Sequence, residues 1–232
     1  MSSNQQYCIW FVNQSASAGK VCVYQDNSNV TFSQTNCKVL AWMLTGANSL
    51  VQVKLQWRAD YDFVWFDYSS PETRQVLPTN VNTGNSVAFK KNQYGYYFQT
   101  MAANGPAGQL SIQSDGSIPT VNKTLVGIGM NGAGTFAAPA GPNLNYRFTP
   151  VKDASLVYWI SFGYYSFEVN DPIDTATLNT PAQIIFPYGV YTMTAVLNSQ
   201  NQWSIYSGPP IGAETNEISP IITYEAGKGI LA

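Results

Sequence analysis

Apolar and polar residues alternate with a period of two along much of the chain. The clearest example is residues 51–58, where four apolar residues from Val51 to Trp57 alternate with four polar residues from Gln52 to Arg58. This spacing puts all the apolar side chains on one face of an extended chain. It predicts a half-buried strand with one wet face.

Shorter runs rich in β-branched and aromatic residues predict further strands. These runs are residues 7–12, 20–24, 62–67, 94–99, 109–113, 145–149, 156–162, 183–186, 191–197 and 202–206. Residues 39–44 fit either a short buried strand or one turn of helix. Strands 7–12 and 20–24 are expected to form a hairpin in which Cys8 and Cys22 face one another. Asp115-Gly116 predicts a second hairpin, between residues 109–113 and 117–119.

No long segment has the 3.6-residue period of an amphipathic helix, and turn residues recur about every ten positions. These features favour an all-β fold, specifically an antiparallel β-sandwich, with barrel-like closure as an open alternative. We expect one domain over residues 1–232. Residues 211–232 would form a C-terminal tail or, through residues 221–224, an edge strand.

Charged residues make up only 10% of the chain, against about 25% in typical domains, and the formal net charge is -2. This charge offers no general attraction for nucleic acid, so no nucleic-acid partner is expected. Histidine is absent, which excludes mechanisms that need an imidazole, such as Ser-His-Asp catalysis and HExxH zinc sites. We expect no cofactor, no bound metal and no catalytic residues.

The three cysteines, Cys8, Cys22 and Cys37, are too few for a disulfide framework. The N-terminal residues lack the basic and apolar regions of a signal peptide. We therefore expect synthesis in the cytoplasm without a signal peptide, with release by a route that needs no leader as an alternative.

The segment from Trp57 to Tyr68, WRADYDFVWFDY, concentrates aromatic rings and carboxylates within twelve residues. Rings beside carboxylates suit the C–H faces and hydroxyls of sugars, and they suit choline through cation–π attraction. We interpret the segment as a candidate ligand-binding site. The alternative is that the rings are buried on one strand face and the carboxylates are solvated. The candidate binding residues are Trp57, Asp60, Tyr61, Asp62, Trp65, Asp67 and Tyr68.

A loop from Glu168 to Asp174 brings three carboxylates and one amide together, which are oxygen ligands of the kind that calcium prefers. Their spacing does not match an EF-hand, and an acidic surface turn explains them more simply.

An uncharged stretch from Thr124 to Tyr146 alternates large apolar residues with glycine and then continues in small residues. It fits a tightly packed strand pair, a segment that enters a bilayer by oligomerising, or a self-association surface. The candidate residues for membrane contact or self-association are Leu125, Val126, Ile128, Met130 and Phe136.

These observations together favour a non-enzymatic, lectin-like binding protein for a cell-surface glycan or a lipid head group. A membrane-active defence protein or toxin would be one use of such binding, with a membrane surface and a homo-oligomer as partners. The alternative is an intracellular structural protein that self-assembles into inclusions. A histidine-free glycosidase that uses paired carboxylates is the third candidate.

Overall fold

The computed structural model describes residues 6–26, 29–69, 74–81, 83–99, 102–150, 157–211, 221–225 and 229–231, of which 74–81 and the last two segments are described by backbone only. The first ten strands are β1 (Gln6–Asn13), β2 (Gly19–Tyr24), β3 (Val30–Phe32), β4 (Lys38–Val39), β5 (Met43–Ala47), β6 (Gln52–Arg58), β7 (Tyr61–Asp67), β8 (Arg74–Val81), β9 (Ser86–Asn92) and β10 (Gly95–Phe98). The next ten are β11 (Leu110–Ser114), β12 (Thr124–Met130), β13 (Ala133–Pro139), β14 (Asn145–Pro150), β15 (Val157–Gly163), β16 (Ala182–Ile185), β17 (Thr192–Leu197), β18 (Trp203–Ser207), β19 (Ile221–Glu225) and β20 (Gly229–Leu231). A single 3-10 turn, Thr175–Thr177, is the helical segment of the described residues.

The strands form four sheets. Sheet 1 has the order β18-β17-β1-β6-β19-β20, sheet 2 has β16-β15-β2-β5, sheet 3 has β4-β13-β12-β7-β8 and sheet 4 has β10-β9-β11-β14-β3. Most neighbours are antiparallel; the parallel pairs are β1 with β17, β9 with β11 and β6 with β19. The fold is all-β and sandwich-like, as the alternating pattern predicted.

The two largest hydrophobic cores explain why four sheets are present. The first core lies between sheets 1 and 2 and includes Phe11, Trp42, Trp57 and Tyr158. The second core lies between sheets 3 and 4 and includes Phe63, Phe89, Phe136 and Phe148. We call these two layered units the first and second sandwich.

A hydrogen bond joins the two sandwiches. The Trp42 indole N–H, which is buried in the first core, donates to the Met130 carbonyl at the tip of the β12–β13 hairpin, 3.1 Å away. Because both groups are buried, this bond satisfies the polar atom of the indole inside the protein.

Strand β6 confirms the alternation that the sequence showed. Val53, Leu55 and Trp57 are buried against the first core, whereas Lys54 and Gln56 are partly open on the outer face of sheet 1.

The predicted N-terminal hairpin is wrong. Strand β1 pairs with β17 and β6, while β2 pairs with β15 and β5 in the facing sheet. Cys8 therefore lies beside Gln56 and Thr192 rather than opposite Cys22. Both thiols are free and buried, and burial raises the pKa of each to about 12.

The second predicted hairpin is also wrong. Strand β11 pairs with β14 and β9, and residues 117–119 form no strand. The Asp115 carboxylate instead accepts a hydrogen bond from the Ser117 backbone N–H at 2.9 Å, which stabilises a turn. Residues 221–225 form a strand, but β20 occupies the edge position beside it.

The uncharged stretch from Thr124 is an inner hairpin, β12 and β13, that is paired on both sides. A methyl group on Gly127 would lie 1.9 Å from the Phe136 carbonyl oxygen, so only glycine allows this approach. Asn131 and Gly132 have positive φ angles, 53° and 86°, which suit a two-residue hairpin turn.

Most of the residues predicted to contact a membrane or a second copy are buried, which corrects that prediction. Val126, Ile128, Met130 and Phe136 are buried in the cores, and Leu125 alone of the five is partly open. The fold as described does not present the four buried side chains to a bilayer or to a second copy. No helix among the described residues is long and apolar enough to cross a bilayer.

Candidate functional site

The two tryptophans of the Trp57–Tyr68 segment belong to different cores. Trp57 lies in the first core, where its ring centroid is 4.8 Å from that of Tyr158 and its indole N–H donates to the Tyr158 hydroxyl at 3.0 Å. Trp65 is 3% exposed and contacts Phe89 and Tyr96 of the second sandwich. Neither indole face is open to a ligand, which corrects the expected aromatic platform.

The polar groups of the same segment have separate structural partners. The Asp62 carboxylate, 4% exposed, accepts from the Gly132 backbone N–H at 2.6 Å, and burial raises the pKa of this carboxyl to about 6. Asp67 accepts from the Ser69 N–H at 3.0 Å, and the Tyr68 hydroxyl donates to the Asn170 carbonyl at 2.7 Å.

The last two candidates of the segment complete this picture. Tyr61 is half-buried against both cores, and Asp60 is half-buried at the β6–β7 turn. The structure therefore does not bring the seven predicted residues together as one surface.

The acidic loop after β15 has its oxygens engaged within the protein. Asp171 accepts from the Glu168 N–H at 2.8 Å, Asp174 accepts from the Ala176 N–H at 3.1 Å, and the Asn170 amide oxygen accepts from the Gly134 N–H at 2.7 Å. Among the described residues there is no group of three His, Cys, Asp or Glu side chains placed to hold a metal ion.

An open cleft of about 440 Å³ lies where the loops meet at one end of the first sandwich. Its residues come from the β1–β2 loop, the end of β15 with the segment that follows, and the β17–β18 turn. The lining residues are Ser17, Ala18, Phe162, Gly163, Tyr164, Tyr165, Ser166, Phe167, Thr177, Asn179 and Asn201. We call this the loop-end cleft; none of its lining residues is an acid or a base.

Aromatic rings form one wall of the loop-end cleft. Beyond the end of β15 the exposure alternates along the chain: Tyr164 is 86% exposed, whereas Tyr165 and Phe167 are partly buried. The rings of Tyr165 and Phe167 stack at 4.8 Å with an interplanar angle of 17°. The cleft thus offers one fully exposed ring beside a rigid stacked pair.

Hydrogen bonds hold this wall in place. The hydroxyls of Ser161 and Tyr165 are hydrogen-bonded to each other, and Ser161 also donates to the Asn179 carbonyl at 2.8 Å. The Asn179 amide nitrogen donates to the Phe162 carbonyl at 3.1 Å. Burial raises the pKa of the Tyr165 phenol, so that it remains neutral at physiological pH.

A buried asparagine organises the opposite rim. The Asn13 amide nitrogen donates to the carbonyls of Ser17 and Asn48, both at 2.9 Å. Its oxygen accepts from the Ser15 N–H at 3.1 Å and from the Ser15 hydroxyl at 2.6 Å. These four bonds use the full hydrogen-bonding capacity of the amide, which anchors the β1–β2 loop over the cleft.

A lysine links the aromatic wall to strand β2. The Lys20 ammonium lies 2.8 Å from the Glu168 carboxylate and 3.3 Å from the Phe167 carbonyl. Both of its contacts are to the segment that carries the aromatic wall, so that segment is held against the sandwich at its far end.

Comparison with known proteins adds a family to this geometry. The RhiA family matches residues 4–208. The chain belongs to the RhiA family. It is 30% identical over 218 residues to Protein RhiA of Rhizobium leguminosarum bv. viciae, a match that covers 88% of each protein. No solved structure matches the chain.

The family match includes every residue of the loop-end cleft and ends before β19. The cleft therefore lies within the part of the chain that matches the family.

The sequence interpretation missed the loop-end cleft. The feature that could have indicated it is the uncharged run Tyr164-Tyr165-Ser166-Phe167, which has three aromatic residues and follows the mostly apolar stretch 156–162 after Gly163. Successive side chains of an extended run point to opposite faces. Where the facing sheet ends, some rings of such a run are therefore expected to face solvent.

Proposed function

We propose that this protein is a non-enzymatic binding protein for a cell-surface glycan and that the loop-end cleft is its binding site. The observation that carries this proposal is an open, uncharged cleft with an exposed Tyr164 ring beside amide and hydroxyl groups. Sugar rings stack their C–H faces on aromatic rings, and their hydroxyls hydrogen-bond to amides and hydroxyls.

Free polar groups at the rim support a sugar ligand. The Asn201 amide and the Ser166 hydroxyl line the cleft and form no side-chain hydrogen bond with another described residue. Tyrosine, serine and asparagine provide adaptable contacts at low entropic cost, which is why they are frequent in binding loops. The hydrogen bonds of Asn13 and Lys20 keep the surrounding loops ordered before a ligand arrives.

The geometry favours a sugar over a choline head group. Quaternary ammonium ligands bind in cages of several separate ring faces. Tyr165 and Phe167 close one face of each ring by stacking on one another, and no carboxylate lines the cleft. The lack of a carboxylate pair in the lining likewise favours binding over glycoside hydrolysis at this site.

A glycan array probed with the whole protein tests the proposal. We expect the array to retain neutral oligosaccharides. Tyr164→Ala should raise the Kd for the most tightly bound of these oligosaccharides at least tenfold. Tyr94→Ala is the matched control, since Tyr94 is equally exposed at 88% but lies in the β9–β10 turn of the second sandwich. Absence of any retained glycan, or equal loss in both variants, would contradict the proposal.

A self-assembling structural protein is the second candidate, and strand β18 favours it. This strand lies at the end of sheet 1, no described strand pairs with its outer side, and Trp203–Ser207 carries no charge. Uncharged edges of this kind can pair with another chain. Sedimentation velocity over a concentration series would support assembly if Ser204→Lys lowered the apparent mass; a monomer at all concentrations would exclude it.

A further inference from the structure

On the outer face of sheet 1, the four adjacent strands β18, β17, β1 and β6 carry basic side chains and no acidic ones. Even-numbered residues of β1, β6, β17 and β18 point away from the first core, because their odd-numbered neighbours are part of it. On these four strands the outward charged side chains are Lys54 and Arg58, both on β6. The protein as a whole has a formal net charge of -2, so this face differs in sign from the whole.

A second cleft, of about 330 Å³, lies on this face around Lys54. Lys54 is directly opposite Trp10 in the β1–β6 register, and its ammonium lies 5.7 Å from the centre of the Trp10 ring. Trp10 is only 8% exposed and forms part of the floor. The lining residues are Gln6, Cys8, Trp10, Lys54, Gln56, Thr192 and Pro209. We call this the Lys54 cleft.

Lys54 differs from the paired lysines of the protein. Lys20 and Lys90 lie 2.8 Å and 3.6 Å from carboxylates, whereas no carboxylate of the described side chains lies within ion-pair distance of Lys54. Glu225 of β19 stands opposite Gln56 in register, and its side chain is outside the described residues. The Trp10 ring holds the ammonium by cation–π attraction, and such attraction leaves the positive charge uncompensated.

We propose that the Lys54 cleft binds a uronic acid unit of an acidic glycan. The carboxylate of the sugar would pair with the Lys54 ammonium, and its hydroxyls would bond to the amides of Gln6 and Gln56 and to the Thr192 hydroxyl. Gln56 follows Lys54 by two residues on the same face of β6, while Gln6 lies on the adjacent strand β1 and Thr192 lies on β17 beyond it. All three residues line the cleft. This site is separate from the loop-end cleft and takes a ligand of different charge.

An acidic peptide fits the same charge less well. Extended peptides bind sheets by adding main-chain hydrogen bonds at a free edge. Strands β1, β6 and β17 are each paired on both sides, so the Lys54 cleft offers side chains alone. A compact ligand with several hydroxyl groups uses those side chains better than an extended backbone does.

Isothermal titration of the full chain with trigalacturonate and with its methyl ester tests the proposal, since the ester removes the charge and keeps the sugar. We expect the acid to bind at least tenfold more tightly than the ester, and Lys54→Met to weaken binding of the acid at least tenfold. Lys54→Arg, which keeps the charge, should retain binding within about threefold. Raised NaCl should weaken binding of the acid by screening the charge.

Lys91→Met is the matched control, because the Lys91 ammonium also lies over a ring, 4.9 Å from the centre of Tyr96, but on sheet 4. It should bind as the parent does, and Glu225→Gln should bind equally or more tightly. Equal binding of acid and ester, unchanged binding in Lys54→Met, or loss of binding in Glu225→Gln would overturn the proposal. If triglutamate, an acidic peptide, bound as tightly as trigalacturonate, the assignment of the ligand as a sugar would be overturned. Tyr164→Ala should leave this titration unchanged even if the loop-end cleft binds nothing.

Discussion

Two aromatic segments of this protein differ in their exposure to solvent. The segment Trp57–Tyr68 has the denser run of rings, yet its central strand β7 is paired with β12 and β8, and residues 62–66 are all buried. The segment Tyr164–Phe167 is shorter, but it begins where β15 ends and keeps Tyr164 in solvent. Aromatic density is therefore a poor guide to exposure here, and position relative to the sheet layers is a better one.

The layers explain the difference. Sheet 3 is covered on one face by the second core and on the other by a smaller cluster of Leu40, Val64, Phe66 and Ala137. A strand inside such a sheet buries both of its faces, whatever its pattern. Residues 164–167 lie beyond the strand pairing of sheet 2, so only the inward members of that run find a covering layer.

The largest expected effect contrasts the two segments directly. Trp57→Ala should lower the free energy of unfolding by about 3–5 kcal/mol, because it empties a site enclosed by aromatic rings and leaves the Tyr158 hydroxyl without its donor. Tyr164→Ala should change it by less than about 0.5 kcal/mol. Guanidinium unfolding measures both values, and Trp57→Phe serves if the alanine variant does not fold. Similar losses of unfolding free energy in Trp57→Ala and Tyr164→Ala would contradict the difference in burial between the two segments.

The next effect concerns the pH dependence of the buried segment. Burial raises the pKa of Asp62 to about 6 from an ordinary value of 3.8, so the native state resists ionisation of this carboxyl. Its contribution to stability is fully present below about pH 4 and is lost as the pH rises through 6. Asp62→Asn should therefore be more stable than the parent by about 2–3 kcal/mol above pH 7.

Unfolding midpoints at pH 4, 5, 6 and 7 measure this effect, and the two proteins should agree at pH 4. The asparagine oxygen can still accept from the Gly132 N–H. Asp67→Asn, at a partly open position in the same segment, is the control and should show no such rise. A stability difference that is constant with pH would exclude burial of the charge as the cause.

The last prediction concerns an ion pair near the loop-end cleft, where a small effect on stability is expected. Lys20→Met removes a partly exposed ion pair with Glu168 and should cost less than about 1 kcal/mol of unfolding free energy. It also frees the Phe167 carbonyl, so we expect glycan binding at the cleft to weaken severalfold. Lys90→Met, which removes the Lys90–Asp115 pair of the second sandwich, should match the stability loss without the binding loss.

The strands could be predicted from the sequence to a large extent, whereas their partners could not. The alternation in residues 51–58 predicted β6 and its buried face, and the apolar run at 156–162 predicted β15. The local pattern of a strand does not predict which strand pairs with it, because pairing depends on contacts between distant residues. The assignment of β1 and β2 to one hairpin was wrong because two apolar strands joined by a short loop can also belong to facing sheets.

The candidate sites show the same limit. Trp57 and Trp65 lie eight residues apart, yet they are buried in separate cores. Ser17, Tyr164 and Asn201 come together at one cleft from three distant parts of the chain. No spacing rule joins such residues, because the contacts that bring them together are made by the strands between them.

The class of fold and the low charge of its surfaces follow from the sequence, because side-chain period and composition are local properties of the chain. The division of the strands between two sandwiches, the burial of the Trp57–Tyr68 segment and the exposure of Tyr164 required the assembled sheets. Burial is a property of layers, and a layer exists only after distant strands have paired.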